Sequence, residues 1–318
     1  MRIVDLRPAL ERHLSRRWVE NESASGSGSF LAGGWNRLAD SFMNRRAQAR
    51  SAPPLRPFVL SVGNLALGGT GKTPVVMALA RDLSAQGKRG CILTRGFKSP
   101  LAGPLEVQPE NDLAGDEARL MAARLVLQGW PVIQARNRPR GLTFILQEYP
   151  ELDFILVEDG HQTKDLGRHL DILILDRWAR MAGNDGDVLQ PETGPVFPFG
   201  PYRETAQGAH RAGILLVDYS QEVPPRGIGG QATATYSRQL VLRPVAPDTP
   251  EELPPGPFAA LSGIARPSTF ENGLTRLVGR EPLVCVRLRD HQEYGPRLVQ
   301  KIVQEMDGGG SLSLVTTA

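Results

Sequence analysis

The run FVLSVGNLALGGTGKTPVV, residues 58–76, constrains the chain more than any other feature. A strand-like apolar pentapeptide feeds a loop with glycine at 68, 69 and 71, and Lys72 and Thr73 open a helix-like segment. Glycines let successive backbone N–H groups converge on phosphate oxygens, and a helix N-terminus adds favourable electrostatics for an anion. Lys72 is then placed to reach the β- and γ-phosphates of a nucleotide such as ATP, and Thr73 to hold Mg²⁺ through its hydroxyl. Gly68, Gly69, Thr70, Gly71, Lys72 and Thr73 form the candidate cradle; a glycine-rich turn without ligand is the alternative. Pro74 fits, because proline is tolerated in the first helical turn. A strict G-x-x-x-x-G-K-[ST] loop would have glycine six residues before Lys72, where this chain has Ala66.

The texture after residue 58 fits such a loop. The apolar runs 58–62, 91–96, 131–135, 154–159, 171–176 and 213–218 are separated by helix-length segments, including one from Asp116 and one near 139–148. Short apolar strands alternating with helices indicate a parallel sheet wrapped on both sides. Proline and glycine are dense from 219 to 257 around the extended run TATYSRQLVLRP, and a smaller α/β unit begins at 258. The division expected is therefore an N-terminal region 1–57, a main α/β domain 58–218, a linker 219–257 and a smaller α/β domain 258–318.

In the first of these, Leu31, Trp35, Leu38 and Phe42 recur at helical spacing, with Arg37, Arg45, Arg46 and Arg50 around and after them. Such a stripe suits an interfacial helix on anionic lipid, or an ordinary helix packed on the protein's own core. No window has the apolar length to span a bilayer, and the first residues are charged throughout, unlike a signal peptide. The plain expectation is a cytoplasmic protein, peripheral to a membrane if attached at all. A formal net charge of +3 is too small to imply nucleic acid. Cys91 and Cys285 stand alone, which argues for a reducing compartment and against a zinc site.

Metal-assisted phosphoryl transfer needs a carboxylate at a neighbouring strand end. FILVEDG provides Glu158 and Asp159 there, with Gln162 three residues on; a solvated strand end is the alternative. Transfer to an alcohol also needs a proton acceptor. Asp116 in GDEAR opens a helix after a loop, a position that a cap would also explain. His291 in RDHQ could orient such an aspartate, or be a surface histidine.

Taken in order, SVGNLALGGTGKTP, GDEA, VEDGHQ, FGPYRE followed by HRAG, SGIARP and RDHQ resemble the tetraacyldisaccharide 4′-kinase family of lipid A biosynthesis, from about residue 58 to the C-terminus. In that family a non-glycine at the position of Ala66 is usual. The resemblance implies a P-loop NTPase-like three-layer α/β/α domain, with a second, smaller α/β domain joined by an extended β linker. It also implies transfer of the ATP γ-phosphate to the 4′-hydroxyl of a tetraacylated glucosamine disaccharide 1-phosphate at the cytoplasmic face of a bacterial inner membrane. Carried over by residue, Lys72 and Thr73 serve triphosphate and metal, Asp159 and Gln162 the Walker-B-like site, and Asp116 is the base supported by His291. Arg203 and Glu204 would line the transfer site. The chain departs from the family in reading Glu158-Asp159 for Asp-Asp, in a more polar N-terminal region, and in stopping at Ala318, where the family continues; the last predicts an incomplete second lobe.

Overall fold

The computed structural model describes residues 2–5, 35–36, 54, 56–183, 186–218, 224–237, 240, 242, 253–264, 266–289, 297, 300, 304 and 313–317, of which 2–5 are described by backbone alone. In chain order the elements are β1 (Arg2–Asp5), β2 (Phe58–Asn64), α1 (Lys72–Ala85), β3 (Gly90–Thr94), β4 (Leu105–Glu106), α2 (Asp116–Leu125), β5 (Val132–Gln134), α3 (Arg138–Glu148), β6 (Phe154–Glu158) and β7 (Leu170–Leu175). They continue with β8 (Trp178–Gly183), β9 (Gly186–Pro191), β10 (Ile214–Asp218), β11 (Ala232–Tyr236), β12 (Phe258–Ser262), α4 (Pro267–Val278), β13 (Val284–Arg287) and β14 (Ser313–Thr316). By internal packing the chain divides into one unit of Ser27–Ser237 and another of Met1–Gly26 with Arg238–Ala318.

The larger unit is built on a sheet of order β11-β10-β7-β2-β6-β3-β5-β4, parallel except for the short edge strand β4. Its strands alternate between two buried faces. Leu60, Val62, Ile92, Leu156 and Ile172 meet Val76 and Ala80 of α1 and Ala118, Met121 and Leu125 of α2. Val59, Cys91, Leu93, Ile155 and Val157 point the other way, onto Leu142 and Ile145 of α3. Farther along that second face Leu173, Leu215 and Val217 are covered by Ala209 and Ala212, at the end of a 3₁₀ turn over Ala206–Arg211. Burial on both faces is why these strands read as unbroken apolar runs. The order reverses at β2, whose neighbours β6 and β7 both come much later in sequence. The loop after β2 thus opens at the switch point of the sheet, where open α/β folds leave a crevice at the strands' C-terminal ends.

The run assigned to the linker contains β11, which pairs in parallel with β10 as an edge of this sheet. Between β7 and β10 the chain makes an antiparallel β8–β9 hairpin. The smaller unit is a parallel sheet of order β1-β13-β12-β14 with Phe270 and Leu274 of α4 against Phe258, Ala260, Cys285 and Val315. Its interior ion pair is bidentate, Arg287 donating to Glu271 at 2.8 and 2.7 Å. Cys91 and Cys285 are both buried free thiols. Of the apolar stripe near the N-terminus only Trp35 lies among the described residues; Leu31, Leu38 and Phe42 lie outside them, as does His291. No described helix is long and apolar enough to cross a membrane.

Gly63 shows how tightly the end of β2 is packed. A Cβ there would lie 2.4 Å from the Cβ of His161 and 3.0 Å from its backbone nitrogen. Gly63→Ala is expected to destabilise the protein by about 1–3 kcal/mol, the usual range for overpacking. Thermal unfolding checks this; an unchanged melting temperature would show that the His161 turn yields freely.

Candidate active site

The phosphate loop is held by pairing, not by a first glycine. Ala66 is buried and forms an antiparallel bridge with Tyr202. The flanking backbone bonds run from Leu67 N to Pro201 O at 2.6 Å and from Arg203 N to Leu65 O at 2.7 Å. An extended, paired residue has no need of glycine. The need falls instead at Gly68 and Gly71, with φ of 91° and 86°. Gly71 is the N-cap of α1, and no side chain caps that helix, so its first turn is left to an external anion. Two observations fit a bound triphosphate: a Cβ at Gly69 would meet nothing within 4 Å, and the buried Thr70 hydroxyl has no hydrogen-bond partner.

Lys72 opens α1 and extends to Asn64 Oδ1 at 3.4 Å and to Asp159 Oδ1 at 3.6 Å. Asp159 follows β6 in the left-handed region at φ 52°, rare for a non-glycine residue and characteristic of strained functional turns. Buried Arg138, the first residue of α3, ties that turn down by donating to the carbonyls of Glu158 (3.1 Å) and Asp159 (2.8 Å). Arg203 brings one nitrogen to 2.7 Å from both Asp159 oxygens and 3.3 Å from Gln162 Oε1. Burial would raise the Asp159 pKa, but the charges of Lys72 and Arg203 outweigh it and hold it at about 2. The carboxylate is therefore ionised at any physiological pH.

Glu158, one residue earlier, points elsewhere. Its Oε2 accepts from Thr94 Oγ1 at 3.0 Å, while Oε1 is buried without a partner. Burial first, then the neighbouring charges of Asp159 and Glu117, push its pKa up to about 7. Thr73 is buried at the second position of α1. Among the described residues no group of three or more His, Cys, Asp or Glu could hold a metal unaided. That donor set suits Mg²⁺, which keeps much of its shell as water and substrate phosphate and takes only one or two protein carboxylates.

Of the remaining residues singled out from sequence, Gln162 donates to Asn64 O at 2.9 Å and to Glu204 Oε1 at 3.1 Å. Glu204 is buried beneath the loop, its carboxylate on Arg211 at 2.6 and 2.8 Å. Asp116 is exposed at the first turn of α2, and its Oδ1 accepts from the backbone N–H of Glu117 at 2.8 Å. Its position is set by Gly115, where a Cβ would lie 2.9 Å from Gly96 Cα, and by buried Gln134, whose amide oxygen accepts from Gly115 N at 2.8 Å. Lys72, Asp159, Gln162, Arg203 and Glu204 are thus joined in one hydrogen-bonded set; Asp116 stands on a neighbouring helix. Sequence reading passed over Gln134, Arg138, His161 and Arg211, although the last two lie inside the quoted VEDGHQ and HRAG.

The protein-family model described as tetraacyldisaccharide-1-P 4′-kinase (LpxK) matches residues 29–318. A tetraacyldisaccharide 4′-kinase of Hyphomonas neptunium is 31% identical over 278 residues, covering 86% of this chain and 76% of that protein. One from Methylorubrum extorquens is 34% identical over 263 residues, covering 80% and 72%. A crystal structure of LpxK from Aquifex aeolicus in complex with ATP aligns with a TM-score of 0.63 at 25% identity, covering 91% of this chain and 88% of that one.

The raised Glu158 pKa has a signed consequence for stability without metal. Its ordinary value in an unfolded chain is 4.5 and its folded value about 7, so the native state holds an extra proton between them. Stability from this group is full below pH 4.5 and is lost as pH rises through 7. Glu158→Gln removes that loss. In EDTA, the melting temperature of the variant relative to wild type is expected to rise from pH 4.5 and level off above 7; a difference independent of pH would contradict the assignment.

Proposed function

The chain belongs to the tetraacyldisaccharide-1-phosphate 4′-kinase family, and from that premise we propose which of its residues carry the reaction. The enzyme is an ATP-dependent kinase that transfers the γ-phosphate to the 4′-hydroxyl of a tetraacylated disaccharide 1-phosphate, forming lipid IVA in lipid A biosynthesis. The observation that supports the residue assignment best is the convergence of Lys72 and Arg203 on Asp159 at the mouth of an uncapped helix.

Phosphoryl transfer leaves little covalent work to the protein, so positioning and charge carry the rate. Gly68 to Gly71 and the first turn of α1 bind the phosphates through backbone N–H groups. Lys72 and Arg203 turn from Asp159 to the phosphate oxygens, which frees the Asp159 carboxylate. Thr73 and Asp159, with Glu158 behind them, are the residues that would hold Mg²⁺. When bound, the ion neutralises charge building on the transferring group. Asp116 accepts the proton of the 4′-hydroxyl. Gln162 and Glu204 hold Arg203 from behind, so Glu204 acts without touching the substrate.

Peripheral attachment to the cytoplasmic face of the inner membrane belongs to the same reading. Trp35, Phe197 and Phe199 are 42%, 55% and 42% exposed. The Trp35 indole donates to the Phe197 carbonyl at 2.8 Å and packs edge-on to Phe199 at 6.3 Å. Exposed aromatic rings with their polar atoms satisfied suit the headgroup level of a bilayer, where the disaccharide of an acylated substrate would lie.

With MgATP and the disaccharide 1-phosphate, the purified protein is expected to yield the bisphosphorylated glycolipid. Asp116→Asn should lower kcat by roughly 10²- to 10⁴-fold, the usual share of a general base, with ATP affinity retained. Unaltered turnover in that variant would remove Asp116 from its role, and ATP hydrolysis without any glycolipid product would favour a nucleotide switch. Trp35→Glu should reduce co-sedimentation with anionic lipid vesicles while leaving ATP binding unchanged; undiminished vesicle binding would place the aromatic cluster off the membrane.

A further inference from the structure

Two side chains inside the signature motifs, His161 and Arg211, take no part in the chemistry proposed above. His161 is completely buried, its Nδ1 2.9 Å from Asp171 Oδ2. Its Nε2 lies 3.0 Å from the Gly208 carbonyl and 3.0 Å from a terminal nitrogen of Arg211. Asp171 is acceptor-only and is also approached by Arg168 at 3.5 Å. Asp171 thus faces Nδ1, and Nε2 faces both the Gly208 carbonyl and Arg211. The same Arg211 nitrogen binds both oxygens of Glu204, and Lys164 stands 3.6 Å from Glu204 Oε2. From Glu204 the bonds run on through Gln162 to Arg203 and Asp159.

We propose that Arg211, seated on His161, is a positioning residue for phosphoryl transfer: it fixes Glu204, which fixes Gln162, which sets the placement of Arg203 against Asp159. The inference rests on the roles proposed above for Arg203 and Asp159. Nothing between Arg211 and Arg203 is apolar, so each link is directional and a displaced donor carries its acceptor with it. Glu204 has no solvent to re-solvate it, being only 2% exposed, so losing Arg211 leaves a buried carboxylate with Gln162 and Lys164 to hold it. Lysine is a poor replacement for the arginine, because its ammonium ends one bond short of the terminal nitrogen that meets both Glu204 and His161.

A purely structural network would lower the melting temperature and leave the folded enzyme's turnover intact. The positioning role predicts a split. Arg211→Lys, measured as folded protein, should lose roughly 10- to 100-fold in kcat, as supporting-shell changes do, with KM for ATP nearly unchanged. Glu204→Gln should behave alike, and the double variant should be no slower than the worse single, because the two act as one unit. Guanidinium added to Arg211→Gly should restore part of the rate. Should Arg211→Lys fail to fold, His161→Asn serves: its amide reaches Asp171 but is too short for Arg211, and the same loss in kcat is expected. Wild-type kcat in folded Arg211→Lys or His161→Asn, or additive losses in the double variant, overturns the proposal. Asp159→Asn separates it from its parent: an inactive Asp159→Asn beside a fully active Arg211→Lys sinks the positioning role alone, whereas a fully active Asp159→Asn sinks both.

Discussion

The carboxylate of Asp159 is the point on which the site turns. Two cations from distant segments, Lys72 of the phosphate loop and Arg203 of the FGPYRE segment, meet on it, and a third, Arg138, clamps the backbone that carries it. Two positive side chains confined this closely would repel without an anion between them. Asp159 therefore holds together the positive charge that the triphosphate requires. Its left-handed backbone is held by the Arg138 bonds and by Gly160, where a Cβ would come 2.5 Å from Ser61 Oγ. The strained turn survives because its surroundings leave it no alternative.

Arg203 can reach Asp159 because of a backbone event. The bridge between Ala66 and Tyr202 lays the FGPYRE segment along the start of the phosphate loop. A side chain is tolerated at 66 because that residue is extended and buried in a pairing, whereas 68 and 71 demand positive φ. The motif's departure from the strict nucleotide-loop pattern and the arrival of its arginine are thus one structural fact. The pairing residue that dispenses with the first glycine is the residue that delivers the cation.

Much of this was legible in the sequence. The strands of the main sheet announced themselves as apolar runs because parallel strands covered on both faces have no polar side to interrupt them. The β8–β9 hairpin was not legible: WARMAG and GDVLQP show no clean alternation, most of their residues are exposed or half-exposed, and only long-range context pairs them. β11 looked like linker because proline and glycine surround it, although its register is set by β10. At the site, spacing picked out Lys72 and Thr73, which share one contiguous loop, and Asp159, which ends an apolar strand. Glu204 was assigned to the transfer site from motif alone, yet its side chain is turned inward. His161, Arg211 and Gln134 were invisible as functional residues because each acts on a partner dozens of residues away.

The inward group also bears on where this fold places its charge. Burying Glu204, Lys164, Arg168, Asp171 and His161 within a few ångströms carries a desolvation cost that apolar residues of similar size would avoid. An apolar filling would pack against any rotamer of Gln162 and Arg203 equally well. Directional bonds on Glu204 and Gln162 instead admit one arrangement, and Gly63 and Gly208 remove the side chains that would hold the layers apart: a Cβ at Gly208 would stand 3.0 Å from Leu65 and 3.1 Å from Glu204. For a reaction catalysed by placement of charge, loss of that single arrangement costs rate directly. The expensive polar layer beneath the loop is therefore best understood as the rigid seat of Arg203, and the apolar faces of the sheet as what makes such a seat affordable.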